Sequence, residues 1–431
     1  MNVDTSNSKT TFIQAFRQSS PYINAHRGKT FVIMLDGQAL LSSQLPDIVH
    51  DIALLNSLGV RIVLVYGIRP QIEAALADIT LPSDIHLGKR ITSAAALDVI
   101  KQVSGKCRFE LEALFSNGLP NSPMHGANIR TVSGNFITAK PLGIHEGRDY
   151  HFTGGVRKVD EAAINGQLNS GNIVLLSNIG YSSTGECFNL AAEEIAVQAA
   201  IAIRASKLIV YTDGEALQDL PRELVPEQAR QLVDDDRHSL LPCLLDACAA
   251  GVERCHMIPF AQDGSLLLEL FTTDGTGVLL SQNRFESIRP ASINDVGAIM
   301  ELLLPLEQKG ILVKRERELL EQEIDHFIVV ERDGMVIACS ALYPFDGESA
   351  EIACVVTHPA YRGNNRGVQM LHYLEKRARQ EKLQRVFVLT TQTAHFFLEQ
   401  GFAETSLESL PEKKKQLYNY QRNSKIFSKR L

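Results

Sequence analysis

The chain has 431 residues and a mass of 47.6 kDa, a length that predicts two or three domains. Hydrophobic residues form 45% and charged residues 22% of it, proportions that exclude a disordered or fibrous protein. The formal net charge of −7 argues against a nucleic-acid partner. The sequence has no apolar run of ~20 residues and no signal-peptide pattern, so we expect no membrane contact and a cytoplasmic location.

The seven cysteines lack the spacing of a C-x-x-C pair or of a zinc site, so we expect reduced thiols and no metal. The sequence has no Walker A loop, G-x-S-x-G elbow or H-E-x-x-H helix, which removes several enzyme classes. A short charged run, Glu412 followed by three lysines at residues 413–415, is typical of a solvated surface.

Residues 1–281 alternate apolar runs with helical patterns. Nearly continuous apolar runs predict buried strands at Phe31–Leu35, Arg61–Tyr66, Asn172–Ser177 and Lys207–Thr212. Between the first two, residues 47–58 place apolar side chains at helical spacing, and Gly59 ends the pattern. This order predicts an α/β fold with a doubly wound, mainly parallel sheet that binds ligands at the carboxyl ends of its strands.

The order of elements changes after a polar stretch at residues 282–286, which we interpret as the linker to a second domain at residues 287–431. The predicted elements there are a long helix after Pro290, a hairpin with its turn at Asp333-Gly334, a strand at residues 351–356, a helix with Val368, Leu371 and Leu374 on one face, a strand at residues 385–390 and a short helix at residues 393–400. Hairpins followed by helices predict an α+β domain.

Residues 351–377 carry the most informative pattern of the second domain. A sharp turn from strand to helix leaves backbone N–H groups at the helix N-terminus, where the macrodipole also favours phosphate. Arg362 and Arg366 add positive charge, while Gly363 and Gly367 let the backbone approach a pyrophosphate. The alternative is an ordinary turn with solvated arginines.

This turn resembles the coenzyme A loop, R/Q-x-x-G-x-G/A, of the GCN5-related N-acetyltransferase superfamily. The corresponding residues are Arg362, Gly363, Asn364, Asn365, Arg366 and Gly367. Asn365 replaces the usual central glycine, but asparagine tolerates a left-handed backbone. Residues 386–402 resemble the last helix of the superfamily, with Phe396 and Phe397 where a general-acid tyrosine commonly stands.

The whole chain, from about Phe16 to its end, resembles the bacterial N-acetylglutamate synthase family, in which an amino-acid-kinase-like domain precedes a GCN5-related acetyltransferase domain. The matching stretches include PYINAHRGKTFVI, HFTGGVRKVD, LELFTTDGTG and QRNSKIFSKRL. The resemblance implies that acetyl-CoA acetylates the α-amine of L-glutamate, opening arginine biosynthesis, and that L-arginine inhibits. It also implies homo-oligomers, commonly hexamers, formed through the first domain.

Acyl transfer to an amine needs a base, a polarised carbonyl and a proton for the thiolate. Glu351 begins a strand beside the predicted loop, and the resemblance also implies that it is the base, directly or through a water. Backbone N–H groups of Cys354, Val355 and Val356 would hold the thioester carbonyl. The Cys354 thiol is either core or a participant in proton transfer, and Thr390 is our candidate to protonate the thiolate. An ordinary polar strand end remains the alternative for Glu351.

Glutamate has two carboxylates, which require fixed cations in its pocket. The resemblance implies a glutamate site formed by Leu312, Lys314, Arg315, Thr390 and Arg422. The alternative for Lys314 and Arg315 is a solvated helix start, and that for Arg422 is an exposed charge on a strand.

The first domain resembles acetylglutamate kinases but departs from their phosphate-binding residues. Their K-x-G-G turn becomes Met34-Leu35-Asp36-Gly37, their H-G-G-G-P turn becomes YGIRP at residues 66–70, their N-A-D triplet becomes AAE at residues 191–193, and Cys243 aligns with a later lysine. Phosphoryl transfer depends on such cations and dipoles, so we expect no kinase activity.

Arginine-sensitive relatives share an N-terminal helix ending in PYI and the stretches GVERCHMI and LELFTTDGTG. The resemblance implies an arginine site lined by Tyr22, His256, Glu269 and Gly277, with Lys207 near the arginine carboxylate. Glu269 is the natural partner of a guanidinium. A helix contact, a core histidine and a surface carboxylate are the corresponding alternatives.

Two other functions stay open at this point. One is an active kinase with an acetyltransferase-like regulatory domain, against which the missing lysines argue. The other is an arginine-sensing binding protein whose acetyltransferase fold has decayed, against which Glu351, Arg362 and Gly367 argue. Thiol release from acetyl-CoA with a panel of amino acids distinguishes these hypotheses.

Overall fold

The chain folds as two units in a computed structural model, residues 1–284 and residues 285–431. The structure describes residues 3–118, 124–233, 239–272, 275–282, 286–332, 334–345, 347–363, 365–419 and 423–431. Within these ranges no helix combines the length and the apolar character needed to cross a membrane.

The first unit is built from alternating strands and helices. Its strands are β1 (Thr30–Leu35), β2 (Arg61–Tyr66), β3 (Asp84–His86), β4 (Lys89–Ile91), β5 (Thr131–Ser133), β6 (Ile137–Pro141), β7 (Ile144–His145), β8 (Arg148–Asp149), β9 (Gly154–Val159), β10 (Ile173–Leu176), β11 (Ile179–Tyr181), β12 (Cys187–Asn189), β13 (Lys207–Thr212), β14 (Glu223–Leu224), β15 (Arg254–Pro259) and β16 (Val278–Ser281). Its helices are α1 (Val3–His26), α2 (Leu45–Ser57), α3 (Arg69–Asp78), α4 (Ala94–Phe115), α5 (Glu161–Asn169), α6 (Ala192–Ala202), α7 (Pro226–Arg230), α8 (Leu241–Ala249) and α9 (Ser265–Phe271).

The main sheet of this unit has the order β14-β16-β15-β13-β1-β2-β10-β5, and its neighbouring strands are parallel except for β15 and β16. The prediction of a doubly wound, mainly parallel sheet is therefore confirmed. Strands β1, β10 and β13 are buried on both faces, because one apolar cluster covers each side of the sheet. Helix α2 begins at Leu45, before the predicted residue 47, since Pro46 suits its first turn. A second sheet, β12-β11-β6-β9, was not predicted.

The second unit has strands β17 (Glu286–Pro290), β18 (Phe327–Arg332), β19 (Met335–Phe345), β20 (Ser349–Thr357), β21 (Arg385–Thr390), β22 (Ala403–Thr405) and β23 (Lys425–Arg430). Its helices are α10 (Val296–Gln308), α11 (Arg317–Gln322), α12 (Arg366–Gln380), α13 (Ala394–Glu399) and α14 (Glu412–Gln416). The predicted hairpin is formed by β18 and β19; Asp333 lies outside the described residues, and Gly334 has a positive φ of +76°.

The strands of the second unit form one sheet in the order β17-β18-β19-β20-β21-β23-β22. Most neighbours are antiparallel, as expected for an α+β domain, but β20 and β21 are parallel because α12 connects them across the sheet. On α12, Leu371 and Leu374 are buried against the sheet and Val368 is half-buried. The sequence analysis predicted β20, α12 and β21, but not the parallel pairing of the two strands.

Candidate functional site

The two strands that flank the candidate active site, β20 and β21, separate partway along their length. Their parallel pairing ends at Glu351, opposite Phe387. Beyond that point β20 continues to Thr357 beside β19, and β21 continues to Thr390 beside β23. Because the two strands no longer hydrogen-bond to each other, backbone groups on their facing edges are available to a ligand.

A β-bulge lies in β20 just beyond the separation. Strand β19 advances two residues, from Cys339 to Ala341, while β20 advances three, from Ala353 to Val356. Cys354 takes a left-handed conformation with a φ of +54°, which is uncommon for residues other than glycine. Such a bulge re-aims the strand, and Ala353 and Cys354 consequently pack in the same apolar cluster.

Glu351, the candidate base, lies at the point of separation and is 8% exposed. Tyr343 of β19 is its direct neighbour in the ladder. The ammonium of Lys414 lies 2.6 Å from Oε2 of Glu351. The prediction that residues 413–415 form a solvated surface is therefore wrong for Lys414, because α14 directs this side chain against β20.

Arg315, a predicted glutamate-site cation, interacts with Cys354 and Tyr343 near these groups. It is half-buried, and its backbone N–H donates to Oε1 of Glu307 over 3.1 Å. Burial alone would lower the pKa of Arg315, but the neighbouring Cys354 and Tyr343 raise it. The phenol of Tyr343 donates to Glu323 over 2.8 Å, and both residues contribute to raising the pKa of Arg315.

The other predicted glutamate-site residues differ in their surroundings. Lys314 is exposed, and Leu312 packs half-buried against the apolar cluster that contains Cys354. Arg422 lies outside the described residues.

Thr390 ends β21 and is 8% exposed. Its Oγ1 accepts the backbone N–H of Thr393 over 3.0 Å and that of Gln392 over 3.3 Å, and it lies 2.8 Å from the hydroxyl of Thr393. These contacts hold the Thr390 hydroxyl at the end of the strand.

The thiol of Cys354 is 4% exposed. Burial raises its pKa to about 11. At neutral pH it is therefore a protonated thiol, which is a poor nucleophile.

The turn into α12 contains two residues with positive φ, Gly363 and Asn365, as its sequence predicts. Gly363 has a φ of +105°, and Asn365 adopts a left-handed φ of +52° directly before the helix. The Asn365 side chain makes no capping hydrogen bond, so the first N–H groups of this 15-residue helix keep their capacity to bind an anion. Arg362 is exposed, and Asn364 lies outside the described residues.

Arg366 does not supply the free charge that the sequence analysis assigned to it. The side chain is 4% exposed, and its Nε donates to Oε2 of Glu286 over 2.7 Å. Its other guanidinium nitrogens donate to Oε1 of Glu286 and to the carbonyl of Tyr361. Arg332 also donates to Glu286, over 3.1 Å. The charge of Arg366 is thus neutralised at the base of the turn, and its side chain is not available to a pyrophosphate.

In the first unit, three residues of the predicted arginine site meet around one carboxylate. Oε1 of Glu269 lies 2.7 Å from Nδ1 of His256, and Oε2 accepts the N–H groups of Thr276 over 2.8 Å and of Gly277 over 2.9 Å. Burial alone would raise the pKa of Glu269, but these hydrogen bonds outweigh it and lower the pKa to about 2. Burial lowers the pKa of His256, and because the ionised carboxylate of Glu269 can only accept, Nδ1 of His256 is the donor of this pair.

Of the remaining two arginine-site candidates, Lys207 is close enough for its charge to act on His256, and Tyr22 belongs to the helix that packs on α9. Lys207 begins β13, is 5% exposed and places its ammonium 5.8 Å from the ring of Phe31. Tyr22 is buried near the end of α1, the helix that packs on α9. His26, one turn later, lies 3.0 Å from the carbonyl of Leu270 and fixes the end of α1 to α9. This contact was not predicted.

The carboxyl ends of β1 and β2 border a cavity of about 380 Å³, at the place where a kinase of this fold binds its ligands. Its lining includes Asp36, Arg69 and Glu193, with Arg69 and Glu193 3.7 Å apart. Burial, together with Asp213 and Glu193, raises the pKa of Asp36. Pro70 fills the space beside Gly37, where an added Cβ would lie 2.3 Å from its Cδ. The carboxylates of Asp36 and Glu193 would repel a polyphosphate, and the ring of Pro70 occupies space beside the backbone that a phosphate would need.

Lys414 and Glu286 are the site neighbours that sequence reasoning missed. Lys414 belongs to a run of three lysines whose members are indistinguishable in the sequence. Glu286 lies within a stretch that we interpreted as a linker. Across the described ranges, no group of three or more histidine, cysteine, aspartate or glutamate side chains is arranged to hold a metal ion.

Two family models match the two units. Residues 29–259 match the amino acid kinase family, and residues 297–402 match the acetyltransferase (GNAT) family. The amino-acid acetyltransferase of Pseudomonas putida (strain GB-1) is 51% identical over 429 residues, covering 97% of this chain and 99% of the relative. That of Photobacterium profundum is 48% identical over 431 residues, covering 97% and 98%.

Two solved structures are similar along nearly the whole chain. The crystal structure of N-acetylglutamate synthase from Neisseria gonorrhoeae complexed with coenzyme A and L-arginine is 34% identical, with a TM-score of 0.88, and covers 97% of this chain and 99% of its own. A structure of the same enzyme complexed with coenzyme A and N-acetyl-glutamate is 35% identical, with a TM-score of 0.62 and the same coverage, 97% and 99%.

Proposed function

Because this chain belongs to the amino-acid acetyltransferase family and uses acetyl-CoA, we propose that its amino acid is L-glutamate and that it is an N-acetylglutamate synthase. The reaction moves the acetyl group to the α-amine of glutamate and opens arginine biosynthesis. The observation that carries the acetyl transfer is the position of Glu351, which lies where β20 and β21 separate, three residues before the bulge at Cys354. The choice of glutamate is supported by the similarity to the enzyme that is complexed with N-acetyl-glutamate.

The amine must lose a proton before it attacks, since ammonium has no free electron pair. Glu351 takes that proton, directly or through one water, and its mostly buried position favours a defined geometry for the transfer. The amine nitrogen then forms a bond to the thioester carbonyl carbon, and the carbonyl oxygen gains negative charge. Backbone N–H groups of residues 354–356 stabilise that oxygen, because the bulge turns this part of β20 out of the regular ladder.

Collapse of the intermediate breaks the carbon–sulfur bond and releases the thiolate of coenzyme A. Thr390 donates a proton to the sulfur, either itself or by relaying it from water. Its hydroxyl is held at the end of β21 by the N–H groups of Gln392 and Thr393. Cys354 stays protonated and takes no covalent part, because burial raises the pKa of its thiol.

Coenzyme A lies with its pyrophosphate at the N-terminus of α12, over Gly363, Asn364, Asn365 and Gly367, with Arg362 at the edge. The carboxylates of glutamate are bound by Arg315 and Arg422, with Lys314 and Leu312 completing the pocket. Arg315 suits this role because it is half-buried beside Cys354 and Tyr343.

L-arginine binds the first unit and inhibits the reaction. Glu269 accepts the guanidinium, since each carboxylate oxygen has more than one acceptor direction and its protein partners leave some of them open. Lys207 pairs with the arginine carboxylate, and Tyr22 and His256 complete the site. The first unit also forms the homo-oligomer, as implied by the resemblance to the family.

A thiol-release assay with acetyl-CoA and a panel of amino acids tests the substrate. We expect turnover with glutamate, at most traces with aspartate or glutamine, and inhibition by arginine. Turnover confined to another amino acid would overturn the choice of glutamate, and ATP turnover without acetyl-CoA would favour the kinase hypothesis.

The variant Glu351→Gln tests the base in the same assay. We expect kcat to fall by ~100-fold or more, the usual contribution of a general base, while binding of coenzyme A stays unchanged. Unchanged turnover in this variant would remove Glu351 from that role.

A further inference from the structure

Of the three lysines at residues 413–415, Lys414 is the one that forms an ion pair with Glu351, the candidate base. Its ammonium lies 2.6 Å from Oε2 of Glu351, and the two side chains are 19% and 10% exposed. Lys413 is exposed to solvent, and Lys415 instead forms a partly exposed pair with Glu412 over 3.2 Å. An ion pair this enclosed loses less to solvent screening than a surface pair.

The position of Lys414 is set by the core of the second unit. Leu410, two residues before α14, is 4% exposed and belongs to an apolar cluster with Phe387. Phe387 lies opposite Glu351 in the ladder between β20 and β21. The buried residue that anchors α14 therefore packs on the strand neighbour of the base, which keeps Lys414 beside Glu351.

The pair occupies one oxygen of the carboxylate and leaves the other open. The Lys414 ammonium lies at Oε2 of Glu351, and among the described residues no other side chain pairs with this carboxylate, so Oε1 is the oxygen left for the substrate. A carboxylate held at one oxygen loses rotational freedom about its last side-chain bond, so the other oxygen keeps a fixed direction.

We propose that Lys414 is a positioning residue for proton abstraction, an inference that rests on the proposed function. Lys414 holds Oε2 so that Oε1 of Glu351 faces the substrate amine or the bridging water. Its charge also offsets the repulsion between the carboxylate of Glu351 and a substrate that carries two carboxylates. The lysine does not exchange a proton with the substrate.

The test measures kcat and KM for Lys414→Met, with Lys413→Met as the matched control. We expect Lys414→Met to lower kcat by ~10–100-fold, the cost of a misplaced catalytic group, with the KM for acetyl-CoA within about twofold of the original. Lys413→Met should match the unaltered enzyme. Lys414→Arg should recover part of kcat, since a guanidinium also pairs with a carboxylate.

A double-mutant cycle with Glu351→Gln separates this role from a general loss of structure. If Lys414 acts through Glu351, adding Lys414→Met to Glu351→Gln should change kcat by less than about twofold. An undiminished effect in that background would overturn the proposal, as would a kcat for Lys414→Met within about twofold of the unaltered enzyme. Thermal unfolding of each variant identifies any that fails to fold. If Lys414→Met is one of them, the kcat of Lys414→Arg decides whether the proposal stands.

The wild-type rate with glutamate tests the proposed function separately. If another amine of the panel is the substrate, the same cycle is run with that amine, and the role of Lys414 is still decided. Absence of acetyl transfer to every amine would overturn both proposals.

Discussion

Glu269 and His256 lie 2.7 Å apart in the core of the first unit, and the N–H of Gly277 donates to the other oxygen of the same carboxylate. Only a glycine fits at position 277, because an added Cβ would lie 2.1 Å from the carbonyl oxygen of Met257. A larger residue would shift the backbone here and with it the N–H that binds Glu269. The carboxylate is thus oriented before any ligand arrives, which lowers the entropy that the Glu269 side chain must lose when a guanidinium binds.

Glu269→Gln should weaken arginine inhibition. The amide keeps its size and still accepts from Gly277, but it has no charge for the guanidinium, and hydrogen bonds to charged groups contribute about 1.5–3 kcal/mol. We expect the half-inhibitory arginine concentration to rise by ~10–100-fold. Glu253→Gln, an exposed carboxylate just before β15, is the control and should keep full sensitivity. Equal sensitivity in both variants would show that the effector site lies elsewhere.

The same carboxylate should make the first unit more sensitive to acid. The hydrogen bonds of Glu269 lower its pKa from the ordinary 4.5 to about 2, despite its burial, so the folded state favours the ionised form. Its contribution to stability is complete above pH 4.5 and is lost as the pH falls from there toward 2. Urea unfolding at pH 5 and at pH 3 should show that the free energy of unfolding falls less between these pH values in Glu269→Gln than in the unaltered chain. Equal decreases would mean that Glu269 does not determine the acid sensitivity between pH 5 and pH 3.

Glu286→Gln should destabilise the second unit. Glu286 is the counter-ion that the structure gives Arg366, whose side chain is 4% exposed, so the variant leaves the buried charge of Arg366 without this carboxylate. Breaking such a pair costs about 3–5 kcal/mol. Because Arg366 is the first residue of α12, the KM for acetyl-CoA should rise as well.

Glu331→Gln provides the control for that experiment. Glu331 pairs with Arg289 on the same two strands, but these side chains are 31% and 35% exposed, and surface pairs contribute about 1 kcal/mol or less. Denaturant unfolding should therefore distinguish the two variants clearly. Similar losses of stability in both would show that the burial of the Arg366 pair has no energetic effect.

The polar residues that bound apolar runs were the part of the site that could be predicted from the sequence, although Glu351 is the third residue of β20 and not its first. Glu351 and Thr390 bound apolar runs whose length and composition indicate strands, so their neighbourhood follows from the order of elements. Asn365 was predictable in the same way, because a turn between strand and helix needs a residue that tolerates positive φ, and its φ is +52°.

Pairs that join distant parts of the chain were not predictable. Lys414 and Glu351 are separated by 63 positions, and Arg366 and Glu286 by 80. Periodicity describes which face of an element is apolar, but it does not say which charged side chain of another element meets it. Arg366 therefore appeared to be a phosphate-binding residue, although its side chain belongs to a buried ion pair.

Cys354→Ser should not abolish the activity. Burial raises the pKa of this thiol to about 11, so it is protonated at neutral pH and unsuited to form an acetyl intermediate. We expect kcat to change by less than about tenfold, since serine has similar size and the bulge is retained. Iodoacetamide at neutral pH should modify the half-buried Cys187 before Cys354. An acetyl group trapped on Cys354 during turnover would instead establish a covalent route.

Gly367→Ala should weaken binding of acetyl-CoA through the ring of Phe396. A Cβ at position 367 would lie 3.2 Å from Cζ and 3.4 Å from Cε2 of Phe396, so either the ring or the first turn of α12 must move by a few tenths of an ångström. Since the N–H groups of this turn are the candidate pyrophosphate site, we expect the KM for acetyl-CoA to rise by ~3–10-fold, with a smaller effect on kcat.

Gly297→Ala is the control for this substitution, because Gly297 lies in α10 with no atom within 4 Å of an added Cβ. It should leave the KM unchanged and stabilise the helix slightly, by up to ~1 kcal/mol. Adding Phe396→Leu to Gly367→Ala should restore the KM, since the smaller side chain leaves room for the methyl group. A KM that stays high in the double variant would mean that the new methyl group obstructs the coenzyme itself, and that the ring of Phe396 does not set the position of the turn.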